Sequence, residues 1–249
     1  MTDYPSQRMN THSHSYPSLG QYINGEWLYD ANNGVLEVVD PATERQLALL
    51  PKAGTYHIEG ALTAARAANI AWRETPVEKR AAYLHAAAEL LRERAATIAA
   101  VITLEQGKPL KEALDEVGRS AQIIDWNAQA AIDLLQDDKV WSEGTSLTTL
   151  SPIGPVAAFT PWNVPLLSPA RKISMSLAAG CPCILKPAED TPGSAIELVR
   201  AFADAGLPAG VLNLLLGDPS HISDALIRSP TIRKVTFTGS VPVGKHIAA

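Results

Sequence analysis

Three short stretches carry side chains whose types and spacing could do chemistry. In Thr160-Pro161-Trp162-Asn163-Val164-Pro165, two prolines stiffen a turn and hold the primary amide of Asn163 between them. A rigid NH₂ donor of that kind suits a developing oxyanion, and an Asx-type turn residue is the plain alternative. In Lys186-Pro187-Ala188-Glu189-Asp190-Thr191-Pro192, a lysine and a glutamate three residues apart could jointly grip the vicinal hydroxyls of a ribose. The carboxylate would also repel a 2′-phosphate. A solvated loop running into a Thr-Pro helix start is the competing reading. In Phe237-Thr238-Gly239-Ser240-Val241-Pro242-Val243-Gly244, a Gly-Ser pair at a strand-to-helix junction leaves bare N–H groups and a hydroxyl at a helix N-terminus. That is a cradle for a diphosphate, although many such turns use Gly and Ser. No GxGxxG or Walker string accompanies them.

The remaining reactive residue types are less promising. Cys181 and Cys183 sit in the apolar run CPCIL, where a bridge between them would strain the backbone, and inert core thiols are expected. The six histidines, at 12, 14, 57, 85, 221 and 246, do not fall at metal-ligand spacing, so no metal site is expected. His85 is expected to pack or face solvent.

The loops need a scaffold, and the hydrophobic pattern supplies one. Strand-like runs at Gly154–Thr160, Cys183–Pro187, Val211–Leu216 and Lys234–Thr238 alternate with apolar helical stretches at Leu166–Ala179, Ser194–Ala205 and His221–Ile227. Nearly continuous apolar strands between helices predict a parallel sheet covered on both faces, with ligands bound beyond the carboxyl ends of the strands. The Lys186–Glu189 loop is expected at the switch point of that sheet. Upstream, Asn24-Gly25 predicts a hairpin within Gln21–Trp27, followed by edge pieces at Val35–Val39 and Leu47–Leu50. Helices are predicted from Ile58 to Glu74, from a Thr75 N-cap with Pro76 at the first position to about Gln106, and from about Leu110 to Leu135. Trp141 to Leu150 alternates like an exposed hairpin arm.

The 249 residues, 46% hydrophobic and 19% charged, suit a globular chain, and a net charge of −5 disfavours nucleic acid or an anionic membrane as partner. Apolar stretches break before membrane-spanning length. Residues 1–20 lack the apolar core of a signal peptide and read as a disordered lead-in, which with the unpaired cysteines fits the cytoplasm.

In order and spacing, PWNVPLLSPARKISMSLAAGCPCILKPAEDTP, GLPAGVLNLLLGD and KVTFTGSVPVGK resemble the aldehyde dehydrogenase superfamily. The likeness reaches back through LEQGKPLKEALDEV, RAANIAWRETPVEKRAAYL and INGEW. EQGKP and IIDW lean toward the semialdehyde-oxidising bacterial branch. The resemblance implies a Rossmann-like α/β fold, NAD rather than NADP as cofactor, and an aldehyde as substrate. It implies a helical part of the cofactor domain at 21–139, a subunit-association arm at 140–152, and a cofactor-binding core at 153–249. It also implies a homo-oligomer for a full-length form.

By residue, it makes Asn163 the oxyanion donor, and Lys186 and Glu189 the adenosine-ribose pair. Gly239 and Ser240 become diphosphate contacts with Phe237 beside them, and Thr160, Pro161 and Trp162 the cleft wall. Lys172 becomes either a proton-relay residue or a structural ion-pair residue. Ser223 stands where many relatives have glycine, and Val164 where many have an aromatic. The family's thiolate nucleophile and glutamate base match nothing within these residues, so a truncated core is expected. A non-catalytic nucleotide-binding chain and an acylating, coenzyme A-using relative are the alternatives.

Overall fold

A computed structural model describes residues 16–135, 141–143 and 146–248. Most of the lead-in (1–15), Val140 and residues 144–145 of the arm, and Ala249 lie outside the described residues. In chain order the elements are strands β1 (Gln21–Ile23), β2 (Glu26–Leu28), β3 (Val35–Val39) and β4 (Gln46–Pro51), then helices α1 (Thr55–Glu74), α2 (Val77–Glu93), α3 (Ala95–Gln106) and α4 (Leu110–Leu135). The short pair β5 (Trp141–Glu143) and β6 (Ser146–Thr148) follows. The alternating part is β7 (Val156–Phe159), α5 (Leu167–Ala178), β8 (Cys183–Lys186), α6 (Pro192–Asp204), β9 (Leu212–Leu214), α7 (Pro219–Arg228), β10 (Lys234–Phe237) and α8 (Val241–Ala248).

The main sheet runs β10-β7-β8-β9-β1-β2. Its first four strands are parallel, as the apolar runs predict, and β7, β8 and β9 are buried on both faces while β10 is only partly covered. Alternate side chains divide between the faces: Ala158, Leu185 and Leu214 pack under α2 to α6, while Ala157, Phe159, Ile184 and Leu215 pack under α1 and α7. The chain winds outward from β7 through β8 to β9, then returns across β7 to β10. The order therefore reverses between β7 and β10, not at β8 where the Lys186–Glu189 loop begins. That corrects the position of the switch point.

The N-terminal hairpin, predicted only as a local turn, is part of the main sheet. Its turn is as predicted, with Asn24 at φ 53° and Gly25 at φ 86°, the left-handed pair of a type I′ turn. But β1 joins β9 antiparallel, Tyr22 opposite Leu214, and makes the sheet mixed. Gln21 drives this. Fully buried, its amide donates to the carbonyls of Pro51 (2.8 Å) and Leu216 (3.2 Å) and accepts from the Leu216 N–H (2.7 Å). Buried edge groups need such partners.

Two helix boundaries also differ. Thr75 is extended (ψ 127°) because a proline follows it. Its hydroxyl closes α1 by donating to the Ala71 carbonyl at 2.8 Å, and Pro76 is the residue before α2. The single helix expected to Gln106 breaks at Arg94, which leaves the helical region (φ −95°, ψ 10°) and pairs with Asp204 of α6 at 2.7 Å. The buried stripe survives in Leu84, Ala88, Leu91, Ile98 and Ile102, while Ala95 is only half-buried. Gly107 ends α3 in the left-handed conformation, φ 78°. α4 buries Ala113, Val117, Ala121, Ile124 and Ala128 as its period predicts.

Among the described residues no helix is long and apolar enough to cross a membrane. Residues 16–20, grouped with the lead-in on composition, are packed: Leu19 is buried and the Tyr16 hydroxyl donates to Glu105 at 2.6 Å.

Replacing Gln21 by Ala leaves the Leu216 N–H without its acceptor and takes a donor from the carbonyls of Pro51 and Leu216, the latter still accepting from the Ala53 N–H. Denaturant unfolding should show a loss of about 2–3 kcal/mol, the cost of orphaning buried backbone groups.

Candidate active site

The parallel strands end in register. Phe237 of β10 lies opposite Phe159 of β7, and Phe159 opposite Lys186 of β8. The pairing continues one step into the loops, with the Thr238 N–H donating to the Phe159 carbonyl (3.1 Å) and the Thr160 N–H to the Lys186 carbonyl (3.3 Å). The three loops singled out in the sequence thus leave the sheet side by side along one edge. The switch between β7 and β10 falls within the group, where open α/β sheets form their ligand crevice.

Within that edge, Lys186 is buried and its ammonium donates to Glu189 Oε2 at 2.6 Å, so the pair read from spacing is a contact. Burial first, then the neighbouring Glu189, raises the Asp190 carboxyl above its ordinary range. Thr160 is buried and its hydroxyl has no hydrogen-bond partner. Trp162 is exposed and Phe237 half-buried. Gly239 lies under the Phe237 ring, where an added Cβ would come within 2.5 Å of it. Ser240 precedes α8, its carbonyl accepting from the Gly244 N–H at 3.0 Å.

Asn163 is exposed at the same edge. Its Asx-turn alternative needs an N–H two residues on, and residue 165 is a proline, which has none. The turn is held from behind by residues that spacing alone did not reveal. Glu116 of α4, fully buried, accepts from the N–H groups of Leu166 (2.9 Å) and Leu167 (3.1 Å) and pairs with Lys108. The Lys108 ammonium also donates to the Asn163 carbonyl at 3.3 Å. A buried pair of this kind costs desolvation unless every partner is satisfied, which makes the geometry specific. The only signal in the sequence was two charges in LEQGKPLKEALDEV, indistinguishable there from a solvated face.

Glu105, from the same segment, holds the second loop. Buried in α3, it accepts from the N–H groups of Gly193 (2.9 Å) and Ser194 (2.8 Å) in the first turn of α6, and from the Tyr16 hydroxyl. Burial pushes its carboxyl up to about 7, against the hydrogen bonds from Ser194, Tyr16 and Gly193, which favour the charged form.

Lys172 stands apart from the loops. It lies on α5 and donates to Thr236 Oγ1 at 3.0 Å, within β10. Burial lowers its ammonium's affinity for the proton, opposed by Cys183 and assisted by Arg171. It lines a cavity of about 1010 Å³ bounded by Val77, Ile153, Val156 and Lys234, toward the amino ends of β7 and β10. That hollow contains none of the three loops, and the loop edge is the better candidate because the polar groups converge there.

Cys181 and Cys183 are free and buried, and burial pushes the Cys183 thiol up to about 12. Two histidines have carboxylate partners that spacing did not reveal: His57 with Asp30 at 2.9 Å and His85 with Asp125 at 2.7 Å. Among the described residues neither pair grows into a cluster of three metal-ligating groups. Ser223 turns its hydroxyl to the Ser220 carbonyl of its own helix at 3.3 Å.

An α/β sheet with this order and these loops has the form of a dinucleotide-binding dehydrogenase half. The aldehyde dehydrogenase family model matches residues 27–249, and the chain belongs to that family. A 4-(hydroxymethyl)benzenesulfonate dehydrogenase of Comamonas testosteroni is 41% identical over 244 residues, 96% of this chain and 50% of that protein. The NADP⁺ succinate-semialdehyde dehydrogenase of Escherichia coli is 40% identical over 228 residues, 90% of this chain and 47% of that protein. The crystal structure of a succinate-semialdehyde dehydrogenase from Burkholderia pseudomallei superposes with a TM-score of 0.88 at 38% identity, over 92% of this chain and 48% of that one. The chain thus spans about half the length of the curated relatives it matches. Members of this family are NAD(P)-dependent oxidoreductases.

The Glu105 carboxyl gives stability a pH dependence of known sign. A folded-state value above the ordinary 4.5 means that the folded chain holds the proton more tightly. Its contribution is therefore complete below about 4.5 and is lost as pH rises through about 7. Unfolding free energy should fall by about 3 kcal/mol over that window relative to Glu105→Gln, measured by denaturant titration at each pH.

Proposed function

We propose that this chain forms the NAD-binding half of a dehydrogenase that oxidises an aldehyde, of the semialdehyde kind, to the carboxylic acid. The observation that carries the reading is the in-register edge at which Thr160, its hydroxyl buried and unpartnered, and the Lys186–Glu189 pair stand at the carboxyl ends of neighbouring parallel strands. A buried hydroxyl without a partner fits a group supplied by a ligand. The nicotinamide cofactor, when bound, supplies the acceptor for the hydride leaving the substrate.

The chain's own residues bind and orient. Lys186 would donate to the adenosine ribose and Glu189 accept from its hydroxyls, with the Glu189 charge set against a 2′-phosphate. The N–H groups around Gly239 and Ser240, at the start of α8, would take the diphosphate. Thr160, Pro161, Trp162 and Phe237 would wall the cleft. The Asn163 amide would donate to the aldehyde oxygen as it gains charge. For Lys172, the bond to Thr236 favours a tie between α5 and β10 over proton traffic. The hairpin of β5 and β6 would serve association of subunits in a full-length homo-oligomer, in the cytoplasm.

Titrating the purified chain with each cofactor and following tryptophan fluorescence tests the cofactor assignment. NAD should bind about tenfold more tightly than NADP, the scale of one unfavourable charge contact. Glu189→Gln should bring the two affinities together, and Lys186→Ala should weaken both. Equal affinities in the wild type, or a ratio indifferent to Glu189→Gln, would remove the assignment.

A second reading, a non-catalytic nucleotide-binding chain, is favoured by the burial of both thiols. Residues 1–249 by themselves should bind NAD yet produce no NADH absorbance with succinic semialdehyde, at any pH at which the chain stays folded. Turnover would mean that a nucleophile lies within them.

A further inference from the structure

Glu189 can discriminate against a 2′-phosphate only if its loop is held in place, and the loop runs straight into α6. Only two residues, Asp190 and Thr191, lie between Glu189 and the first turn of α6, which opens on Pro192. That first turn has no side-chain cap of its own. It is gripped instead by Glu105, through Gly193 and Ser194, and Glu105 is gripped in turn by Tyr16.

The grip is tight. A Cβ on Gly193 would lie 2.9 Å from each of Glu105 Oε2, the Tyr16 hydroxyl and Val101 Cγ1. The strap continues along the helix, where Arg200 of α6 donates to the Ser18 carbonyl at 3.3 Å and lies 5.5 Å over the Trp27 ring. Residues 16–18 are therefore fastened to α6 at two points about two turns apart.

We propose that Tyr16, Glu105 and Gly193 are positioning residues for cofactor specificity, a strap that fixes α6 and thereby the placement of Glu189 against the adenosine ribose. This rests on the assignment of Lys186 and Glu189 to that ribose. None of the three touches the cofactor; they act through the start of α6. Loosening the strap lets the Glu189 loop retreat from a 2′-phosphate, so the preference for NAD over NADP shrinks while Lys186 and Glu189 remain intact.

The test compares NAD and NADP affinities of the full chain, by calorimetry, for wild type, Glu105→Ala, Gly193→Ala, Tyr16→Phe and Glu105→Gln, with Glu189→Gln alongside. Glu105→Ala and Gly193→Ala should reduce the NAD-to-NADP affinity ratio by about fivefold, the low end of coupling between separated sites. Tyr16→Phe should reduce it less. Glu105→Gln, which keeps an acceptor for the α6 amides, should retain most of it. A merely structural role would lower the melting temperature and leave the ratio alone. That result for Glu105→Ala and Gly193→Ala overturns the proposal. Should Glu105→Ala not fold, Gly193→Ala and Tyr16→Phe decide on the same ratio. A ratio that ignores Glu189→Gln refutes the ribose assignment itself, whereas a ratio that responds to Glu189→Gln but to none of the strap variants refutes only the strap.

Discussion

The parallel pairing of β10, β7 and β8 is the constraint on which the candidate site depends. Phe237, Phe159 and Lys186 sit in one row, and one further hydrogen bond on each side of β7 carries the alignment into the loops. Had any of these strands slipped by one residue, every side chain on it would have changed face. The apolar division of Ala157 and Phe159 from Ala158 forbids that slip, because both faces are buried. Packing against two helical layers therefore fixes where Asn163, Lys186 and Gly239 emerge, although none of the three takes part in that packing.

One short segment of the helical layer then secures two of the loops. Glu105 ends α3 and Glu116 lies in α4, with Lys108 and the left-handed Gly107 between them. Each carboxylate accepts from two adjacent backbone N–H groups, one pair at the start of α6 and the other at the start of α5. Helix starts leave such donors unsatisfied, and a carboxylate there also meets the positive end of the helix dipole. Two buried carboxyl groups on one turn-linked pair of helices thus take the place of local caps, and they tie loops far apart in sequence to a common frame.

Covering the sheet's β9 side falls to the N-terminal hairpin through Gln21, while β10 remains at the opposite edge with its side chains only partly covered. The relatives that this chain matches are about twice its length. The three loops lie at the sheet edge, while both cysteines lie in the core.

Much was legible in the sequence because local physics writes it there. Continuous apolar runs mark strands buried on both faces, the stripe of Ala113, Val117, Ala121, Ile124 and Ala128 marks α4, and Asn24-Gly25 marks a type I′ turn. The three loops were visible as chemistry-bearing residues, and their order carried the family. Thr75 and Pro76 were misassigned by a residue because two extended residues, not one, precede α2. The break at Arg94 was hidden because the apolar stripe runs through it. What tertiary structure alone decided was adjacency. The antiparallel joining of β1 to β9, the reversal of strand order between β7 and β10, and the grip of Glu105 and Glu116 on distant helix starts all link residues between 50 and 195 positions apart. No periodicity or motif records such pairs, since a buried glutamate and a solvated one look alike until the fold chooses which donors surround it.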